Sequence, residues 1–194
     1  MRFINVQFIK SASKKTEFVI DELPQVAIVG RSNVGKSSLI NMLTNNSKMA
    51  KTSSTPGRTR LVNYFNVNKE FYLVDLPGYG FHQAGKNVAS SWDQVMNDYF
   101  VDNARLKLVM VLLDSRIMPT ALDKQMLDYL AELEIPHIVV LTKTDKLTRS
   151  EVNNSASKIA QEIRHNRDVI VPTSATKKQG ADKIAQLIEQ YLNK

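Results

Sequence analysis

The chain has 194 residues, 43% hydrophobic and 23% charged, a size that suits one domain with a real core and is short for two. No apolar run reaches the ~20 residues of a membrane helix, Met1–Asn5 lacks an export-signal core, and the absence of cysteine excludes disulfides, thiol catalysis and thiolate metal sites. A cytoplasmic protein with no membrane partner is expected. The net charge of +7 lies wholly in residues 1–60, which hold ten Lys/Arg against three Asp/Glu, while residues 61–194 hold 16 of each.

Asn5–Ile9 reads as a short strand followed by a polar stretch, so residues 1–23 are expected to form an arm or edge strand on a domain spanning 24–194. After Pro24, the apolar run Val26–Val29 leads into Gly30-Arg31-Ser32-Asn33-Val34-Gly35-Lys36-Ser37, and Ser38 continues a pattern at helical spacing to about Asn45. Strand, glycine-rich turn and helix with GxxxxGK[ST] at the junction form a phosphate-binding loop. Its glycines let successive N–H groups turn inward around an anion, and the helix start adds further N–H groups and its positive dipole end. Lys36 reaches for the β- and γ-phosphates, and the Ser37 hydroxyl is a Mg²⁺ ligand.

Asn46–Arg60 is rich in Ser, Thr and Lys with Pro56-Gly57 inside it and reads as a mobile loop. Leu61–Val67 and Glu70–Asp75 flank Asn68-Lys69 as a hairpin, and Pro77-Gly78-Tyr79-Gly80 ends it in another loop. A helix is expected over 87–101 with Trp92, Val95, Met96 and Tyr99 near one face. Leu106–Asp114 is a strand covered on both sides, Thr120–Leu133 a helix, His137–Leu141 a strand, and 149–165 a helix opened by a Thr148/Glu151 capping box. Val169–Pro172 and Ala181–Leu192 close the chain as strand and helix. This alternation implies parallel crossovers in a doubly wound α/β sheet.

Three further motifs select the nucleotide. Thr142-Lys143-Thr144-Asp145 follows a buried strand, where open α/β sheets bind ligands. The Asp145 carboxylate matches the N1–H and exocyclic amine of guanine, and the Lys143 stem suits the purine face. Thr173-Ser174-Ala175 follows the last strand, and its small residues let backbone N–H groups approach the guanine O6. Asp75-Leu76-Pro77-Gly78 reads as DxxG, with Asp75 holding Mg²⁺ through water and the Gly78 N–H meeting the γ-phosphate. The first switch needs a Thr on Mg²⁺, for which Thr59 is favoured over Thr55. Gly57, Arg58, Arg60 and Leu61 line the same segment. The basic residues beyond what a triphosphate needs (Lys10, Lys14, Lys15, Lys48, Lys51, Arg58, Arg60) suggest an anionic partner such as nucleic acid, with a solvated basic face as the alternative.

With GRSNVGKSSLIN (Gly30–Asn41), TSSTPGRTR (Thr52–Arg60), DLPGYGF (Asp75–Phe81) and TKTD (Thr142–Asp145) in this order, the chain resembles the EngB family of bacterial ribosome-biogenesis GTPases, within the TRAFAC-class, Ras-like GTPases. It departs from the usual GRTQ at Arg60, which adds charge to the switch. The resemblance implies a P-loop, Ras-like domain with a mostly parallel sheet and helices on both faces, acting as a Mg²⁺-dependent GTPase switch. It further implies a role in large-subunit assembly, with ribosomal RNA or protein as partner and no DNA, in a monomer, and an association with cell division and septation. Tyr79 stands where Ras-like switches often carry a water-positioning Gln, so slow intrinsic hydrolysis is expected. His82, or K⁺ bound near Asn33 as in related GTPases, are candidate substitutes. Lys36, Thr59, Gly78 and Asn33 are therefore the candidate catalytic residues. Two readings compete with the switch: a binding module that GTP merely stabilises, and a small-molecule kinase, which TKxD disfavours.

Overall fold

The computed structural model describes residues 1–50, 61–80 and 94–193. Seven strands form one sheet in the order β1-β3-β4-β2-β5-β6-β7. They are β1 (Val6–Ala12), β2 (Gln25–Gly30), β3 (Val62–Val67), β4 (Phe71–Asp75), β5 (Leu106–Asp114), β6 (His137–Thr142) and β7 (Ile170–Pro172). The helices are α1 (Lys36–Leu43), α2 (Gln94–Phe100), α3 (Ala121–Glu132), α4 (Arg149–Glu162) and α5 (Ala181–Leu192).

Period-two patterning splits the core between the two faces of the sheet. Val26, Ile28, Leu108, Met110, Leu112, Ile138 and Val140 pack with Leu39, Ile40 and Leu43 of α1 and Ile184 and Ile188 of α5. Their neighbours Ala27, Val29, Val109, Val111, Leu113, Val139 and Leu141 face α2, α3 and α4 through Met96, Tyr99, Met126, Leu127, Leu130, Ala156 and Ile159. β2, β4, β5, β6 and β7 run parallel, so their C-terminal ends open on one side. The fold is that of a Ras-like P-loop GTPase domain, α/β with a mostly parallel sheet and helices on both faces.

The β3–β4 hairpin is antiparallel and turns at Asn68 (φ 55°) and Lys69 (φ 60°), with Glu70 N donating to Val67 O at 2.9 Å. Two positive φ values match the right-handed twist of the flanking strands. β1 pairs antiparallel with β3 at the sheet edge and runs to Ala12, beyond the expected Ile9, because Ser11 pairs with Asn63 and Ala12 is fully buried. The pairing skips Ile9 between Phe8 and Lys10 as a bulge. β7, the opposite edge, has three residues and ends on Pro172, which lacks an N–H.

Several helix ends differ from expectation. α1 stops at Leu43, where the Thr44 hydroxyl caps the Ile40 carbonyl at 2.8 Å. α4 stops at Glu162, three residues short of His165, because Arg164 turns left-handed (φ 55°) and His165 N returns to Ala160 O at 3.0 Å. α3 ends where expected, with Leu133 as its C-cap, and closes by the same device: Glu134 is left-handed (φ 53°) and Ile135 N is bonded to Leu130 O at 2.9 Å. The capping box at Thr148/Glu151 is present, and Thr120/Asp123 form a second. Of the predicted loop 46–60, residues 46–50 are described. There the Asn41 side chain clasps Ala50 N and O at 2.8 and 3.1 Å. Residues 51–60, and 87–93 of the second predicted helix with Trp92, lie outside the described residues. Among the described residues no helix is long and apolar enough to cross a membrane.

Candidate nucleotide-binding site

The phosphate loop bridges β2 and α1 at the open ends of the strands. Gly35 is left-handed (φ 117°) and serves as N-cap of α1. No side chain caps that helix, so its first N–H groups remain for an anion. Val34 is buried beneath the loop, and its carbonyl accepts Thr142 Oγ1 at 2.7 Å. Gly30 and Gly35 hold the turn, Ser37 and Ser38 start α1, and Arg31, Ser32 and Asn33 span the crest, where Asn33 is exposed at φ 61°.

Lys36 faces Asp75 at the end of β4. Burial pushes the Lys36 ammonium below its ordinary value, with Asp75 opposing. Burial likewise raises the Asp75 carboxyl, while Lys36 and a hydrogen bond from Asn63 oppose the shift. Ser11 Oγ donates to Asn63 Oδ1 at 2.7 Å, which leaves the Asn63 amide nitrogen free to face Asp75. Asp75 Oδ1 is buried and accepts no hydrogen bond among the described residues. A buried carboxylate oxygen with no hydrogen bond among the described residues is the kind of donor a hard cation such as Mg²⁺ takes, and Ser37 at the start of α1 is the candidate hydroxyl ligand. Among the described residues no three His, Cys, Asp or Glu gather to hold a metal alone.

Leu76, Pro77 and Gly78 lead from β4 to Tyr79, which rejoins the phosphate loop. Leu76 N donates to Ile28 O at 3.1 Å, Tyr79 N to Gly30 O at 3.3 Å and Ser32 N to Tyr79 O at 3.2 Å. A side chain at Gly78 would meet Lys36 Nζ at 3.0 Å and Ser32 N and Oγ at 3.1 Å, so only glycine lets the backbone lie this close. The Tyr79 ring is buried, and its hydroxyl donates to Asp123 Oδ1 of α3 at 2.8 Å. Burial and Asp123 raise the phenol well above its ordinary value, so it remains a donor.

The base-recognition loops meet across β6 and β7. Thr144 N and Oγ1 both donate to Thr173 O, at 3.1 and 2.8 Å, and Thr173 N and Oγ1 return to Leu141 O at 2.7 and 2.9 Å. Ser174 Oγ donates to Asp145 Oδ1 at 2.8 Å, which lowers the carboxyl below its ordinary range. Ser174 N bonds Gln179 O at 3.2 Å, and Ala175, the next residue, is partly exposed. Lys143 is left-handed (φ 60°), and its Nζ donates to Asn33 O at 2.9 Å and pairs with Asp114 Oδ2 at 2.9 Å. Asp114 also takes a two-pronged contact from Arg116, Nε to Oδ1 at 2.9 Å and Nη2 to Oδ2 at 2.8 Å. Burial opposes ionisation of Asp114, but bonds from Arg116 and Lys143 outweigh it and hold the carboxyl well below the carboxylate range.

Asp114, Arg116, Asn63 and Asp123 are absent from the motif-based site. Asp114 ends an apolar strand and stands one residue before Ser115-Arg116, which is a local hint; the other two carry no signal. Thr55, Gly57, Arg58, Thr59, Arg60, Lys51 and His82 lie outside the described residues, and Leu61 is a partly exposed residue just before β3.

The family model of 50S ribosome-binding GTPases matches residues 25–143, from β2 through Lys143. A probable GTP-binding protein EngB from Clostridium beijerinckii is 46% identical over 185 residues, covering 95% of this chain and 93% of that protein. The corresponding protein from Pelobacter propionicus is 44% identical over 184 residues, 95% and 92% of the two chains. The chain belongs to the EngB family. Among solved structures, a probable GTP-binding protein EngB superposes with a TM-score of 0.69 at 23% identity, over 87% of this chain and 98% of that one, and supports the fold. Era in complex with MgGDPNP and nucleotides 1506–1542 of 16S ribosomal RNA superposes with a TM-score of 0.68 at 26% identity, over 87% of this chain and 56% of that one. Membership in EngB makes this a GTP-binding protein with a GTPase domain.

Proposed function

We propose that the chain hydrolyses GTP to GDP and phosphate with Mg²⁺, and that its nucleotide state switches binding to the large ribosomal subunit during assembly of that particle. The observation that carries this reading is the convergence of Lys36 and the orphaned Asp75 oxygen with the Asp145–Ser174 and Lys143 pair at one end of the sheet. Phosphate recognition and guanine recognition are thus built side by side.

Lys36 and the N–H groups at the start of α1 bind the phosphates, Gly78 approaches the terminal one, and Asp145 orients guanine under the Lys143 stem. Ser37 and Asp75, with Thr59 from the first switch, would hold Mg²⁺, which would supply positive charge to the phosphates. Gly57, Arg58, Arg60 and Leu61 complete the switch wall beside it. Because Tyr79 points into the core, no side chain at that position orients water, and intrinsic turnover is slow. K⁺ near Asn33 is one source of the missing charge, and docking on the subunit is another.

The basic N-terminal third, with the exposed Lys48 beside the site, suits ribosomal RNA. The family model's name and the RNA-bound Era structure agree with that partner. On this reading the chain is one cytoplasmic GTP-binding domain, residues 24–194, with residues 1–23 as its edge, working as a monomer. The family association with cell division and septation belongs to the same reading. The occupied Tyr79 favours one alternative, a ribosome-binding module in which hydrolysis is incidental.

Co-sedimentation with purified ribosomal subunits in GDP and in a non-hydrolysable GTP analogue tests the switch. Binding to the large subunit in the analogue, lost in GDP and falling steeply with salt, is expected. Equal binding in both nucleotides, without subunit-stimulated turnover, would leave the binding-module reading. Lys36→Ala should lose most triphosphate affinity while keeping the fold, and normal turnover by that variant would put the phosphate site elsewhere.

A further inference from the structure

We propose that Tyr79 is a positioning residue: it latches the DxxG loop to α3 and so presets Gly78 against the phosphate loop for a terminal phosphate. The inference rests on the GTPase reading of the site and deepens it.

Among the described residues, three bonds hold Tyr79. Its N–H donates to Gly30 O at 3.3 Å, its carbonyl accepts Ser32 N at 3.2 Å, and its hydroxyl reaches Asp123 Oδ1 at 2.8 Å. The backbone pair continues the β2–β4 ladder past its last strand residues into the phosphate loop, as a parallel bridge between Arg31 and Tyr79. The hydroxyl bond anchors the other end of the side chain in the first turn of α3. Asp123 is itself immobilised there, because its Oδ2 accepts both Thr120 N and Thr120 Oγ1 at 2.8 Å. Its carboxylate is nearly inaccessible to solvent, at 3% exposure, so water does not replace Tyr79 as the donor. Gly78, one residue earlier, has little freedom left and lies where a methyl group would touch Lys36 Nζ at 3.0 Å.

Contacts within the protein thus set the placement of Gly78, and the terminal phosphate does not have to recruit it. A preset donor lowers the ordering cost of binding the group it serves and leaves ligands without that group unaffected. The same chemistry explains why a tyrosine replaces glutamine at this position. The side chain cannot be both a buried latch and a water-positioner at the surface. Beyond the latch, Gly80 is left-handed (φ 88°), and a side chain there would meet Leu122 Cδ1 at 3.3 Å.

The test compares GDP with a non-hydrolysable GTP analogue on Tyr79→Phe and on Asp128→Gly. The first removes the latch hydroxyl. The second weakens α3 at an exposed position beyond its first turn, leaves Thr120, Asp123 and Tyr79 in place, and so controls for loss of helix stability. Tyr79→Phe should weaken the GTP analogue about fivefold to tenfold, the factor of one net hydrogen bond, with GDP changed less than twofold. Single-turnover hydrolysis should slow in parallel. Asp128→Gly should leave the ratio of the two affinities unchanged. An unchanged ratio in Tyr79→Phe, or an equal shift in Asp128→Gly, would overturn the positioning role. A wild-type chain that binds neither nucleotide would instead overturn the reading of the site beneath it.

Discussion

Asp114→Asn should loosen nucleotide binding without changing which base is chosen. Asp114 is 8% exposed and is one of two anchors on Lys143 Nζ, the other being Asn33 O at 2.9 Å. An amide in its place loses the negative charge, and even with its oxygen at the Oδ2 position it turns an N–H₂ group towards the Arg116 N and Nε donors that Oδ1 now accepts. A hydrogen bond to a charged group is worth about 1.5–3 kcal/mol. Lys143 is 33% exposed and Arg116 45%, so screening favours the lower end, about 1.5 kcal/mol. That corresponds to roughly tenfold weaker binding of GDP. The same screening keeps the stability loss to about 1–2 kcal/mol, below the 3–5 of a fully buried pair. Titration with a fluorescent GDP analogue, followed by competition with guanine and xanthine nucleotides, reads both quantities. GDP affinity within twofold of wild type would refute the idea that Asp114 holds Lys143. A shift towards xanthine would mean that Asp114 acts on the base itself.

Asp145→Asn should exchange guanine for xanthine preference by at least about tenfold, since its amide no longer accepts from two donors, and competition binding will show it. Gly180→Ala should destabilise the fold by about 2–3 kcal/mol in denaturant unfolding, because φ is 86° and the new methyl would lie 2.6 Å from Pro172 O and 2.7 Å from Thr173 Cγ2. Acidification should weaken the joint between β6 and α4. His137 Nδ1 donates to Ile135 O at 2.9 Å and His165 Nδ1 to Ile163 O at 2.8 Å, so the Nε2 atoms, 2.9 Å apart, have room for a single shared proton. Burial, and next to it the charge on His165, hold His137 below its ordinary value, while the Ile135 carbonyl opposes them. A depressed folded value means stability present above the unfolded value of about 6.5 and lost as pH falls through the lower folded one. A thermal midpoint that drops more between neutral pH and pH 5 in wild type than in His137→Asn is expected, and equal drops would exclude the pair as the cause.

The candidate site residues are legible from sequence wherever a motif sets a residue type at a fixed spacing. Lys36, Gly35, Asp75, Lys143 and Asp145 fall in motifs, and the buried strands are apolar runs that no helix period fits. The partners that aim them were not legible. Asn63 meets Asp75 only after a hairpin forms, Asp114 meets Lys143 only across two parallel strands, and Asp123 meets Tyr79 only when α3 packs beside β2. These contacts depend on tertiary register. The start of α4 was readable from its Thr148/Glu151 capping box, and the end of α3 falls at the expected Leu133 cap, whereas the end of α4 was not readable. Arg164 takes the left-handed position that glycine usually marks, so local sequence carries no stop signal there.

The two edges of the sheet bear on how copies of this chain meet. An open edge offers unpaired N–H and C=O groups to any extended peptide, including the same strand of a second molecule. Here β1 is interrupted at Ile9, which breaks the regular spacing a neighbour would need, and carries Lys10 just past the break. β7 is only three residues long, and Pro172 offers no donor. Neither side can template an eighth strand. During folding at high concentration, this architecture resists strand exchange and fibril growth at both ends, and intermolecular contact is left to helices, loops and side chains.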